Sequence, residues 1–138
     1  MISGFQKAYL SAFLLIAVLT AQSCKTPAKY LVNNWQVQKF QPGEDFSASP
    51  EHMKIFHEFE KYARFEFKSD GSYFFDLVGS RQQGTWKFDK KSMTLTTTDE
   101  NQQVTVSKVK ELTPEKLVLE QQSDGYNNTI ILVPKQPE

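Results

Sequence analysis

The chain has a single cysteine, Cys24, among its 138 residues, so it cannot form an internal disulfide. A hydrophobic core must therefore stabilise the fold without covalent cross-links. The chain also has no excess of either charge, because its 16 basic residues balance its 16 acidic ones. No basic face is indicated, which argues against nucleic acid as a partner.

Residues typical of catalytic and metal sites are also scarce. The two histidines, His52 and His57, fall on a predicted helix and point about 140° apart, so they cannot share a metal ion. The sequence has no Gly-x-Ser-x-Gly motif, phosphate-binding loop or Cys-His pair. Asp76 lies between Phe75 and Leu77, and strand alternation places it outward. We therefore expect a protein that is not an enzyme and uses no cofactor or metal.

Long hydrophobic runs are limited to the N terminus. Lys7 is the only charged residue before position 24, and the strongly apolar part spans 12–19. This part is much shorter than the ~20 residues that cross a bilayer, so a cleaved signal peptide is favoured over a permanent transmembrane helix. We predict a signal peptide at 1–23, a tether at 24–29, a domain at 30–134 and a tail at 135–138.

The residues before Cys24 resemble the lipobox of bacterial lipoproteins, in which a cysteine follows the cleavage site. Cleavage there leaves the small residues Ala21 and Ser23 at the end of the signal. The resemblance implies lipid attachment at Cys24, with acyl chains that anchor the protein to a membrane. A free thiol is the alternative, but an unpaired cysteine in an oxidising compartment can pair only between molecules. By the same resemblance, the lack of acidic residues after Cys24 favours the outer membrane, facing the periplasm of the cell envelope.

The first part of the domain predicts a strand followed by a helix. Residues 30–40 read as a strand with Trp35, Val37 and Lys39 on one side. Ser49, followed by a proline and a glutamate, marks the start of a short amphipathic helix over about 51–62. One stripe of that helix is formed by His52, Ile55, Phe56, Phe59 and Ala63.

Beyond the helix the hydrophobic period changes to that of β-strands. Ser69-Asp70-Gly71 predicts a tight hairpin, with aromatic residues alternating on both sides of it. Val104 and Val106 begin a strand whose phase changes, which predicts a β-bulge near 107–108. About eight short strands result, and we predict an all-β fold: an up-and-down antiparallel barrel with one short helix after the first strand.

Four segments in this order resemble the bacterial lipocalin-like lipoproteins: NNWQV, FEFKSDGSYFF, GTWKFDKKSMTLT and VKELTPEKLVLE. The resemblance covers most of residues 30–133 and implies a lipocalin-like barrel that binds a small hydrophobic ligand. The residues predicted to line the barrel are Trp35, Phe65, Phe67, Tyr73, Phe75, Trp86 and Phe88. Ile55, Phe56 and Phe59 are predicted to form a lid over one end of the barrel.

Two functions remain open from the sequence, because inward aromatic residues suit both a hollow and a filled barrel. The first is a monomeric, non-enzymatic lipoprotein that binds a small hydrophobic ligand. The alternative is a protein-binding module of the envelope, such as a hydrolase inhibitor or a complex accessory, with a filled barrel. That module would bind through loops that include Arg81, Lys90 and Lys91, or 123–128.

Overall fold

Antiparallel strands account for most of the structure, a computed structural model that describes residues 28–123 and 125–137. The predicted signal peptide and Cys24 lie outside the described residues. Ala28 and Lys29, assigned to the tether, form part of a 3-10 helix. The elements are, in chain order, the 3-10 helix Ala28–Leu31, β1 Asn33–Gln41, α1 Pro50–Tyr62, β2 Arg64–Phe67, β3 Ser72–Asp76, β4 Arg81–Asp89, β5 Thr94–Asp99, β6 Val104–Thr113, β7 Lys116–Ser123 and β8 Tyr126–Pro134.

The eight strands form a closed barrel in which each strand pairs with its neighbours in sequence and β8 pairs with β1. All of these pairings are antiparallel. The predicted eight-stranded up-and-down barrel with one helix after the first strand is confirmed. The hairpin at Asp70 also forms as predicted, with Gly71 at a φ of 88° and the Asp70 carboxylate accepting from the Ser72 N–H.

One end of the barrel is closed by packed side chains. Leu31 of the 3-10 helix is fully buried, and its carbonyl oxygen accepts a hydrogen bond of 3.0 Å from the indole Nε1 of Trp35. Phe67 is buried at the same end, since its strand neighbour in β1 is Asn33. We call this the closed end. The opposite, open end carries α1 and the turns β3–β4, β5–β6 and β7–β8.

A β-bulge changes the phase of β1. The register with β8 shifts between Val37 and Lys39, so strict alternation stops there. Trp35 and Val37 are buried as predicted, but Lys39 is exposed, contrary to the alternation, and Phe40 packs against the core instead. Because of the bulge, Phe40 rather than Lys39 points into the open half of the barrel.

A second phase prediction, in β6, is wrong. Val104 and Val106 are 61% and 59% exposed, whereas Ser107 is buried. The register shift with β7 lies between Val109 and Glu111, later than the predicted bulge at 107–108. The first half of β6 therefore turns its valines outward and points polar residues into the barrel.

Helix α1 begins at Pro50, one residue before the predicted start, and ends at Tyr62 as predicted. Ser49 caps it: its hydroxyl accepts from the His52 N–H, and the His52 ring accepts from the Ser49 N–H. His52 is exposed, so it does not belong to a buried stripe. Pro50 and the Ser49 cap predicted the helix start because they act locally, whereas burial of the stripe depends on how the helix docks.

Candidate ligand-binding cavity

The open half of the barrel contains a partly enclosed cavity of about 370 Å³. This volume lies near the lower limit of the range usual for small-molecule sites. All of the barrel strands contribute lining residues, and α1 adds one from above. The lining residues are Phe40, Phe59, Phe65, Phe75, Leu77, Gln82, Leu95, Thr97, Thr105, Ser107, Leu119, Gln121, Ser123, Asn128 and Ile130.

One side of the cavity is aromatic. Phe65 and Phe75 are cross-strand neighbours on β2 and β3, with ring centroids 4.6 Å apart. Phe59 of α1 packs edge-to-face on Phe65 at 6.1 Å and on Phe40 at 5.6 Å. Such edge-to-face and tilted ring pairs stabilise a fixed arrangement beyond the area they bury. We call Phe40, Phe59, Phe65 and Phe75 the aromatic wall.

The opposite side, on β5 to β8, is built in two layers. Leu95, Leu119 and Ile130 lie nearer the closed end and are buried. One inward position further towards the open end, each of the four strands presents uncharged polar side chains. We call this second set the polar layer: Thr97, Thr105, Ser107, Gln121 and Asn128.

A hydrogen bond ties the polar layer together across β6 and β7. The Nε2 of Gln121 donates to the Oγ of Ser107 at 2.8 Å, and Ser107 is only 3% exposed. On β8, the Oδ1 of Asn128 accepts from the Gly43 N–H at 3.1 Å, which holds the loop after β1 near the open end. Among the described residues, no charged side chain lines the cavity. The cavity can therefore take a molecule that is mainly apolar but carries hydrogen-bonding groups on one side.

Tyr73 lies one step from the cavity towards the closed end, with its ring 4.3 Å from that of Phe75. It is 2% exposed, and among the described residues its hydroxyl has no hydrogen-bond partner. Burial raises the pKa of the Tyr73 phenol above its usual value of 10.0, and the charges of Asp99 and Glu100 add to the rise. The nearby Thr97 hydroxyl opposes this rise without forming a full hydrogen bond. Tyr73 is thus a neutral core residue over the physiological pH range.

The residues predicted to line the barrel separate into two groups. Phe65 and Phe75 line the cavity. Trp35, Phe67 and Tyr73 are buried in the packed core, and Trp86 and Phe88 are half-buried against it. The aromatic face predicted from alternation therefore exists, but most of it fills the closed half.

The three predicted lid residues also differ in position. Phe59 lines the cavity, and Phe56 is half-buried with its ring 4.8 Å from Phe40. Ile55 is 59% exposed and faces solvent. Phe40 itself was missed as a lining residue because the bulge in β1 leaves no mark on the hydrophobic pattern. The polar layer was missed because alternating valines on β6 predicted the opposite face.

Within residues 28–123 and 125–137, no three His, Cys, Asp or Glu side chains lie close enough to hold a metal ion. In the same part of the chain, no helix combines the length and the apolar character needed to cross a membrane.

Known proteins resemble the chain mainly in fold. A crystal structure of a lipocalin-like protein from Bacteroides uniformis superposes with a TM-score of 0.53 at 14% identity, covering 77% of this chain and 99% of that one. A DUF4847 family protein from Bacteroides vulgatus is also 14% identical, with a TM-score of 0.44, and covers 79% of this chain and 96% of its own. No curated protein matches the chain.

The family assignment rests on sequence as well as on fold. Residues 31–119 match the lipocalin-like domain family, and this segment runs from the end of the 3-10 helix into β7. It includes all four segments that resemble the lipocalin-like lipoproteins, apart from one residue at the end of the last. That resemblance is confirmed for the domain, and the chain belongs to the lipocalin-like domain family.

Proposed function

We propose that the protein is a non-enzymatic, lipid-anchored binding protein of the bacterial cell envelope, which holds one small, mainly apolar ligand in its barrel. The observation that carries the proposal is the cavity of about 370 Å³ bounded by the aromatic wall. Small-molecule sites are typically concave, largely apolar and provided with a few polar groups that orient the ligand. The family's barrel fold supports a binding role in the same way.

The cavity favours this function over that of a protein-binding module with a filled barrel. A filled barrel would bring side chains from all strands into contact across the interior. Here that packing is limited to the closed half, where Trp35, Leu117 and Leu132 are fully buried. In the open half, Phe75 and Leu119 line a cavity instead.

Native mass spectrometry tests the proposal directly. Residues 25–138 contain every described element of the barrel, so this segment can be purified without the proposed anchor. We expect an added mass that disappears on denaturation, together with displacement of an uncharged fluorescent phenylnaphthylamine by a lipid extract. A bare protein that binds neither the extract nor the probe would contradict the proposed function.

A pair of adjacent substitutions supplies the control. Gln82 lines the cavity from β4, whereas its neighbour Gln83 is exposed on the outer face. Gln82→Trp should fill part of the cavity and weaken probe binding by roughly tenfold or more. Gln83→Trp makes the same change outside and should leave binding unchanged. Equal loss in both variants would indicate that the probe binds elsewhere on the surface.

A further inference from the structure

The chemistry of the polar layer narrows the class of ligand. We infer that the ligand is an uncharged amphiphile, an alcohol or amide with an apolar tail, whose head lies against Ser107 and Gln121. The inference rests on the proposed function and adds to it the nature of the head group. It is carried by three observations: the position of the polar layer, the donors and acceptors it offers, and the lack of charge around it.

The polar layer faces the aromatic wall across the cavity, so a bound molecule meets both. Thr97 and Thr105 are cross-strand neighbours on β5 and β6, and Gln121 and Asn128 are neighbours on β7 and β8. Ser107 also lines the cavity, two residues after Thr105 on β6, and its hydrogen bond with Gln121 connects this side of the patch to the second pair. A ligand with one polar end can therefore satisfy this patch while its tail lies on the phenylalanines.

The hydrogen bond also decides which groups remain available to a ligand. Because the Ser107 Oγ accepts from Gln121, its own O–H is left to donate. Because Gln121 donates through Nε2, its Oε1 is left to accept. The pair thus presents one donor and one acceptor side by side. Alcohols and amides carry both complementary groups, whereas a carboxylate can only accept and an ammonium can only donate.

The lack of charged side chains around the cavity also favours an uncharged head group. An ionised head group that leaves water needs an opposite charge, and among the described residues none lines the cavity. Arg81 is the nearest basic residue along β4, but it precedes Gln82 and is exposed on the outer side. Lys39 lies outside as well, 3.9 Å from the Glu60 carboxylate. Neither cation neutralises a carboxylate at Ser107.

A set of ligands with one tail and different heads tests the inference. Decanol, decanamide, decanoate and decylamine share a ten-carbon chain, and at neutral pH the last two are charged. Each is titrated against the phenylnaphthylamine probe bound to residues 25–138, at concentrations below its solubility limit or its critical micelle concentration. We expect decanol and decanamide to bind at least tenfold more tightly than decanoate and decylamine. Decanoate or decylamine binding as tightly as decanol would overturn the inference and leave the proposed function intact.

Substitutions at the head-group site provide a second test of the inference. Gln121→Leu should weaken decanol and decanamide about tenfold, and should weaken the apolar probe by much less. Gln122→Leu is the matched control, because Gln122 is the exposed next residue on β7. Loss of all ligands and of the probe together in Gln121→Leu would show a structural role and contradict the inference.

A variant that adds a charge tests for a change in ligand preference, which misfolding would not produce. Gln121→Glu keeps the length of the side chain and adds a carboxylate at the acceptor position. We expect its preference to move to decylamine, with decanol weakened by tenfold or more. An unchanged order of affinities would place the head group away from Gln121 and overturn the assignment. If neither the probe nor any ligand binds the unmodified protein, the proposed function itself fails.

Discussion

At the scale of single residues, Tyr73, Gly84 and Asp99 lie side by side on β3, β4 and β5. Among the described residues, the buried Tyr73 hydroxyl has no hydrogen-bond partner, and Gly84 lies where β4 and β5 approach closely. A Cβ at Gly84 would collide with the Thr98 carbonyl oxygen and lie 2.9 Å from the Asp99 Cα. The Tyr73 hydroxyl is therefore unfavourable for stability, and the site of Gly84 leaves no room for a larger residue.

We predict that Tyr73→Phe stabilises the protein by about 1 kcal/mol at neutral pH. Removing this buried hydroxyl removes its desolvation penalty, while the ring keeps its contacts with Phe75. Urea denaturation measures the change, with Tyr62→Phe as the control because Tyr62 is exposed. Destabilisation by Tyr73→Phe would mean that the hydroxyl has a partner that stabilises the fold.

The raised pKa of Tyr73 should also make the free energy of unfolding depend on pH in the alkaline range. Burial raises the folded-state pKa of Tyr73 above the usual 10.0, so its contribution to stability is complete below pH 10.0. That contribution is lost as the pH rises through the raised folded pKa. The free energy of unfolding should therefore fall more steeply between pH 10.0 and the raised folded pKa in the unmodified protein than in Tyr73→Phe. Parallel pH profiles of the two proteins would contradict the shift.

We predict that Gly84→Ala destabilises the barrel by about 1–3 kcal/mol, because the added methyl group meets backbone atoms of β5 that cannot move aside freely. Thr85→Ala is the control on the same strand, since Thr85 is exposed. Thermal or urea unfolding measures both. A Gly84→Ala variant as stable as the control would show that β4 and β5 can separate at little cost.

At the scale of elements, α1 covers a gap in the pairing of β1. The β1–β2 ladder ends at the pair Gln36 and Arg64, so the later part of β1 pairs with β8 alone. There the Glu60 Oε2 of α1 accepts the Phe40 N–H at 2.9 Å. The helix thus replaces a strand partner with a side-chain acceptor and holds Phe59 over the cavity.

We predict that Glu60→Ala destabilises the protein by about 1–2 kcal/mol, because it leaves a partly buried backbone N–H without its charged acceptor. Glu58→Ala is the matched control, since Glu58 is exposed on the same helix. Hydrogen exchange adds a local measurement: the Phe40 amide should exchange faster in Glu60→Ala only. Equal effects of the two variants would show that the Glu60 contact contributes little.

At the scale of the whole molecule, the barrel combines a packed half with a hollow half. The closed end is filled by Trp35, Phe67 and the 3-10 helix, and it supplies the stability that the missing disulfides cannot. The open end leaves the cavity beneath α1. A proposed anchor at Cys24 precedes the 3-10 helix by a few residues, so it would hold the closed end near the membrane.

We predict that Cys24→Ala releases the protein from the membrane into the soluble fraction, because the substitution removes the sulfur to which the proposed diacylglycerol would be attached. Membrane fractionation measures the release, and mass spectrometry of the detergent-extracted protein should show the acyl mass only when Cys24 is present. Lys25→Ala serves as the control and should stay in the membrane. A Cys24→Ala variant that remains membrane-bound would contradict the proposed anchor.

Local signals predicted the architecture well. The cap at Ser49 set the helix start, the Asp70-Gly71 turn set a hairpin, and alternation placed Phe65 and Phe75 on the inner face. Each of these signals acts within a few residues, so each can be read without knowing the rest of the fold. Consecutive short strands joined by such turns then favour closure of the sheet.

Tertiary structure decided where the barrel is hollow and which side chains line its cavity. A β-bulge is determined by how a strand matches its neighbours, so the phase changes that turn Phe40 and Ser107 inward depend on β8 and β7 rather than on local sequence. The sequence by itself determined a closed barrel with an aromatic inner face. Only the packing of strand against strand decided that part of this face fills the closed end, and that a polar layer faces the rest across a cavity.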